Sequence, residues 1–221
     1  MYEALLQEIV DEARKQQDII GILLTGSVAR GDALPGTDLD LRFILTPGTS
    51  RNFQSELRQG IQIEQGYADV ALAQSKLAAN PMEVYPYLDG RILFDPVDVL
   101  QQLREQARER FETYRTPEQE RHEIAHNFQS ALLKMNVALQ SDDLLKAAFV
   151  ASTTSWITLV GLWAVNDKPM PPNSSVWAHL KDLSLTPPDV ETLLKHYFCG
   201  EARQRVEIAI NLTEWVLAHL S

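Results

Sequence analysis

A single cysteine, Cys199, stands in 221 residues, which excludes an internal disulfide and any cysteine-bound metal cluster. A reducing, cytoplasmic setting is the expectation. Basic charge is also scarce: 20 Lys and Arg face 30 Asp and Glu, for a net charge of −10. A duplex-DNA binder needs a basic face to neutralise phosphates, so no duplex DNA partner is expected. Long apolar runs are missing as well. The longest, around residues 147–165, is interrupted by Ser152, Thr153, Thr154 and Ser155, so no membrane span is expected. The opening MYEALLQEIVDEARKQQD carries acids from Glu3 onward and does not read as a secretory leader. Repeats and low-complexity tracts are absent, and no strand pattern follows Asp95.

What is present divides into two parts. Leu5, Leu6, Ile9, Val10 and Ala13 recur at helical spacing, predicting an amphipathic helix over residues 2–16. Ile19 to Thr25 reads as a buried strand ended by Gly26. Asp38 to Leu45 alternates polar and apolar residues and stops at Pro47-Gly48, predicting a second strand. Residues 50–59 read as a helix. Ile61, Ile63 and the run Tyr67 to Leu72 read as a third strand, kinked or turned at Gly66. RILFD at residues 91–95 is a short strand, and Pro96 opens a helix to about Thr113. From Thr116 only helical patterns follow, roughly at 117–139, 143–165 and 200–219. The segment KPMPPNSS and two shorter helices, near 175–183 and 187–197, lie between the last two. The expected fold is α+β: a small mixed-sheet domain over residues 1–115, then an all-α helical bundle over residues 116–221.

One stretch asks for a chemical explanation: LLTGSVARGDALPGTDLDLRFIL, residues 23–45. Side chains alternate across a strand, so Asp38 and Asp40 share one face. Two like charges there repel and gain nothing unless a cation sits between them. Paired oxygen ligands favour Mg2+ or Mn2+ over zinc or copper. A third carboxylate is expected at Asp69, in the middle of YADVAL. Glu64, five residues earlier beside Gln65-Gly66, is the alternative and reads as a turn residue. Three carboxylates on adjacent strands make a two-metal site of the kind that serves in-line phosphoryl displacement. Gly26 lets the backbone approach a phosphate, and the Ser27 hydroxyl and neighbouring N–H groups can hold it. Arg30 can add charge there or pair with a nearby carboxylate, and Thr37 fixes the turn into the second strand.

The pattern Gly26-Ser27-x-Ala29-Arg30-Gly31, five residues, then Thr37-Asp38-x-Asp40 resembles the signature of the DNA polymerase β-type nucleotidyltransferase superfamily, with Thr37 where serine is common. The resemblance implies Mg2+-dependent transfer of a nucleoside monophosphate from an NTP, with ATP expected, to a hydroxyl of a small acceptor. It implies that Gly26, Ser27, Arg30 and Thr37 serve the nucleotide. It also implies that Asp38, Asp40 and Asp69 are catalytic and hold metal, the third helping to deprotonate the acceptor. The layout is similar to that of aminoglycoside and lincosamide nucleotidyltransferases, in which the second domain contributes to acceptor specificity. Two other readings stand beside this one: an antitoxin-type nucleotidyltransferase that modifies a protein partner, and a nucleotide-binding protein without catalysis. Oligomeric state is left open, a homodimer included. Arg121 and His126 match the R-x4-H spacing of HEPN ribonucleases, but at i and i+5 they do not share a helix face closely, and the match reads as coincidence. The five histidines lack ligand spacing, so no zinc site is argued.

Overall fold

The computed structural model describes residues 2–220 and divides the chain into two compact units. The first runs to Thr113 and takes in Pro171–Ser175; the second comprises Tyr114–Met170 and the chain from Val176 onward.

The first unit is built on a mixed five-stranded sheet, as the α+β reading requires. Its elements are α1 (Tyr2–Ala13), β1 (Ile19–Thr25), α2 (Gly26–Arg30), β2 (Leu39–Leu45), β3 (Gln54–Arg58), β4 (Ile61–Asp69), α3 (Val70–Ala79), α4 (Val84–Asp89), β5 (Arg91–Phe94) and α5 (Val99–Thr113). The strand order is β3-β4-β2-β1-β5. β1 runs antiparallel to β2 and β5, β4 antiparallel to β3, and the β2–β4 pair is parallel. Alternation assigns the two faces. Leu39, Leu41, Phe43, Ile61 and Ile63 pack with Leu5, Leu6 and Ile9 of α1, whereas Leu23 and Ile44 pack with Ala73, Tyr87 and Leu100 from α3, α4 and α5. The face of Ile44 is also the face of Asp40, so the carboxylates emerge on the side that α3 to α5 cover further along.

Two expectations in this unit are corrected. Residues 50–59 are not helical: Gln54–Arg58 is the edge strand β3, paired in register from Gln54↔Gln65 to Arg58↔Ile61. Its residues are good helix formers, but backbone pairing to β4 overrides that preference. The third strand is also misplaced. β4 runs without a break through Gly66 to Asp69, and Val70-Ala71-Leu72 begins α3 rather than ending a strand. The helix expected from Pro96 begins at Val99, where the Asp95 carboxylate accepts the Leu100 and Gln101 N–H groups.

The second unit holds α6 (Glu118–Gln140), α7 (Leu144–Ala164), α8 (Val176–His179), α9 (Val190–Cys199) and α10 (Ala202–His219). Phe128 and Met135 of α6, Leu159 and Trp163 of α7, Tyr197 of α9, and Leu212 and Val216 of α10 form its core. α7 has the length and apolar composition of a membrane span, with mean hydropathy 1.4, but half of that window is buried inside the protein, as in a core helix. Gly161 makes the packing possible, since a Cβ there would lie 2.8 Å from Val216 of α10 and 3.1 Å from Phe128 of α6.

Candidate active site

The site begins where β1 ends. Thr25 pairs with Asp40 across the β1–β2 ladder, and its hydroxyl donates to the Asp40 carbonyl at 3.3 Å. The chain then turns through Gly26 at φ +71°, a left-handed conformation that costs a side-chain-bearing residue dearly. Space forbids a side chain there too, because a Cβ on Gly26 would lie 2.1 Å from Oδ2 of Asp40. The Gly-Ser turn and the second aspartate are thus one piece of geometry. α2 follows for a single turn and ends at Gly31, at φ 84°.

Asp38 and Asp40 emerge at the start of β2, and the parallel register sets Asp40 directly opposite Glu64 of β4. Each of the three offers a carboxylate oxygen, and these oxygens lie within 4.8 Å of one another. The cluster stores repulsion. Partial burial pushes the Asp40 carboxyl above its ordinary range, and the charges of Asp38 and Glu64 push it further, while Arg42 and Arg30 pull the other way. An all-oxygen set of three crowded carboxylates fits a hard divalent cation such as Mg2+ or Mn2+.

Asp69 lies elsewhere. The same register places it opposite Leu45, five residues beyond Glu64, or about 16 Å along the strand. There it is the N-cap of α3: one carboxylate oxygen accepts the Leu72 N–H at 2.8 Å and the other the Gly48 N–H at 3.0 Å. Those two donors hold its carboxyl below the usual range. The structure therefore separates Asp69 from the two aspartates it was expected to join, and puts Glu64 in that place.

Arg30 is bound from several sides. It meets Asp32 at 3.2 Å and Asp89 at 4.0 Å, and donates to the Ser174 carbonyl at 3.2 Å. Arg30 thus pairs with nearby carboxylates and also lines the cavity beside Gly26. Thr37 closes the turn before β2, its N–H donating to Leu34 and its carbonyl accepting the Tyr2 hydroxyl. Arg121 pairs with Asp167 at 2.8 Å, which also accepts the Thr116 N–H, so its contacts here join α6 to the end of α7.

Two cavities adjoin the carboxylates. One, about 180 Å3, is lined by Gly26, Arg30, Tyr85 and Ser174; the other, about 240 Å3, by Glu64, Gly66, Ala68 and Lys76. Both linings include Thr25, Asp40 and Arg42. Arg42 was not singled out in the sequence, although its place two residues after Asp40 on the same strand face was the available signal. It binds Glu83 through two nitrogens, at 2.5 and 3.5 Å, and lies 5.8 Å from the centre of the Tyr87 ring. Burial opposes its charge most strongly, but the hydrogen bonds and charges of Glu83 and Tyr87 together outweigh that and raise its pKa.

Residues 6–113 match the family model described as nucleotidyltransferase domain. A crystal structure of a nucleotidyltransferase-like protein from Exiguobacterium sibiricum 255-15 is similar, with 18% identity and a TM-score of 0.46 over 99% of this chain and 75% of that one. No curated protein matches the sequence. The matched span contains the whole sheet, the Gly26 turn and the three clustered carboxylates. Over residues 6–113 the chain therefore matches the nucleotidyltransferase domain family, in line with the resemblance carried by Gly26, Ser27, Asp38 and Asp40.

Proposed function

We propose that the protein transfers a nucleoside monophosphate from an NTP, with ATP the expected donor, to a hydroxyl of a small acceptor in the cytoplasm. The observation that carries this reading is the triad Asp38, Asp40 and Glu64, gathered within 4.8 Å beside a glycine turn that approaches Asp40 too closely for any side chain. Asp38, Asp40 and Glu64 would hold divalent metal. When bound, Mg2+ or Mn2+ neutralises triphosphate charge and lowers the pKa of a coordinated hydroxyl.

The protein's own groups divide the remaining work. The backbone at Gly26 and Ser27 and the Ser27 hydroxyl hold the triphosphate. The cavity beside Gly26 takes the nucleotide, and the one above Gly66 and Ala68 takes the acceptor. Glu64 borders the second cavity, and it accepts the proton as the acceptor oxygen bonds to the α-phosphorus. The bond from that phosphorus to the bridging oxygen breaks, and its electron pair leaves with pyrophosphate. In this reading the third site carboxylate is Glu64 and not Asp69.

The test is incubation with α-32P-labelled NTPs, Mg2+ or Mn2+ and a panel of hydroxyl-bearing compounds that includes aminoglycosides and lincosamides. Labelled adduct and pyrophosphate are expected from the wild type and neither from Asp40→Asn. A wild type that yields no adduct and no free NMP with any of the four NTPs would overturn the reading. Label on a protein instead of a small molecule would move the acceptor to the protein class.

A further inference from the structure

Arg42 projects from β2 on the Asp40 face and lines both cavities, the one beside Gly26 and the one above Gly66. A group common to the two linings lies where their occupants must meet. If one holds the nucleotide and the other the acceptor, that meeting point is the α-phosphoryl group. Phosphoryl transfer asks a protein chiefly for fixed positive charge around the moving group, since charge spreads over its non-bridging oxygens. Guanidinium is the side chain best suited to that task, being planar, always charged and able to bind two oxygens at once.

Its setting is that of a prepared group. Glu83 takes one N–H from each of two terminal nitrogens, and the Tyr87 ring lies beneath the guanidinium. A guanidinium has five N–H donors, so this clamp leaves others for a ligand. The Arg42 side chain is 30% exposed and that of Glu83 20%, so the pair is partly dried while the arginine still reaches the cavities. Gly66 lies opposite Arg42 in the β2–β4 register and has no side chain to cover it.

We propose that Arg42 is a catalytic residue of the transfer, donating to the non-bridging oxygens of the α-phosphoryl group, and that Glu83 positions it. This rests on the transferase reading above. The step is unchanged in its balance: the acceptor oxygen bonds to phosphorus, its proton passes to Glu64, and pyrophosphate leaves with the electron pair. Arg42 stays protonated throughout and supplies only charge and hydrogen bonds.

The experiment uses the full chain with α-32P-ATP and Mg2+, water or any accepted hydroxyl compound serving as acceptor, and reads labelled AMP or its adduct. Binding of α,β-methylene-ATP is measured separately by calorimetry. Arg42→Ala is expected to lower turnover by about 10²–10³-fold, the range for removing one transition-state donor, while analogue affinity changes little. Guanidinium ion, at concentrations far below those that unfold proteins, is expected to restore part of the lost turnover. Glu83→Gln is expected to lower turnover less than Arg42→Ala, without guanidinium rescue. Arg42→Ala with near-normal turnover, or with a loss that follows analogue affinity and ignores guanidinium, would overturn the proposal and leave the transferase reading intact. A wild type with no turnover on any NTP overturns both.

Discussion

At the scale of single residues, the site is organised by repulsion that Arg42 and Arg30 offset only in part. Asp40 is partly buried, faces Asp38 and Glu64, and has its carboxyl pushed up by both effects. For an acid with a raised native pKa, the stability contribution is full below the unfolded value, 3.8 for this aspartate, and is lost as pH rises through the native value. At neutral pH without metal, Asp40 therefore works against folding. Asp40→Asn keeps the volume and removes the charge, so in EDTA at pH 7 the variant should melt at a higher temperature than the wild type. The advantage should shrink towards pH 4 and disappear when Mg2+ is added to the wild type. Scanning calorimetry across pH with and without metal checks this, and an Asp40→Asn that melts below the metal-free wild type contradicts it.

At the scale of elements, the sequence revealed every strand except β3 and fixed the long helices closely. It missed where β4 hands over to α3. The cause is physical. Val70-Ala71-Leu72 is apolar enough to extend a strand on paper, and Gly66 looks like an interruption. In the structure the glycine is simply an open floor in the middle of β4, and Asp69 is the cap that stops the strand and starts the helix. An aspartate before an apolar run is a recognised helix start, so that part was legible in principle. The pairing of Asp40 with Glu64 was not, because it depends on the register of two parallel strands far apart in sequence. By contrast, the Gly26 turn and the two aspartates of β2 lie on contiguous chain, and local pattern was enough to find them. In the second unit, Gly161 provides an element-scale test. Gly161→Ala gains roughly 1 kcal/mol of helix propensity. Its methyl group would sit 2.8 Å from Val216 and 3.1 Å from Phe128, both fully buried. Overpacking of this kind costs about 1–3 kcal/mol, so urea unfolding should show a net destabilisation. A variant more stable than the wild type would mean that α7 and α10 have room to separate.

At the scale of the whole molecule, the two units carry different weights of meaning. The family match ends at Thr113, where the first unit's main segment ends, and that unit holds every group assigned here to nucleotide and metal. It also takes in Pro171–Ser175, read from sequence as a link between helices, and Ser174 of that segment accepts a hydrogen bond from Arg30. The central claim is that the nucleotide and its metal are held by Asp38, Asp40 and Glu64, with Asp69 as a helix cap. The most direct measurement is calorimetric titration of ATP into wild type, Glu64→Gln and Asp69→Ala, each with Mg2+ and with EDTA. The account predicts Mg2+-dependent binding by the wild type and by Asp69→Ala, and loss of that metal dependence in Glu64→Gln. Normal metal-dependent binding by Glu64→Gln together with its loss in Asp69→Ala would contradict the account.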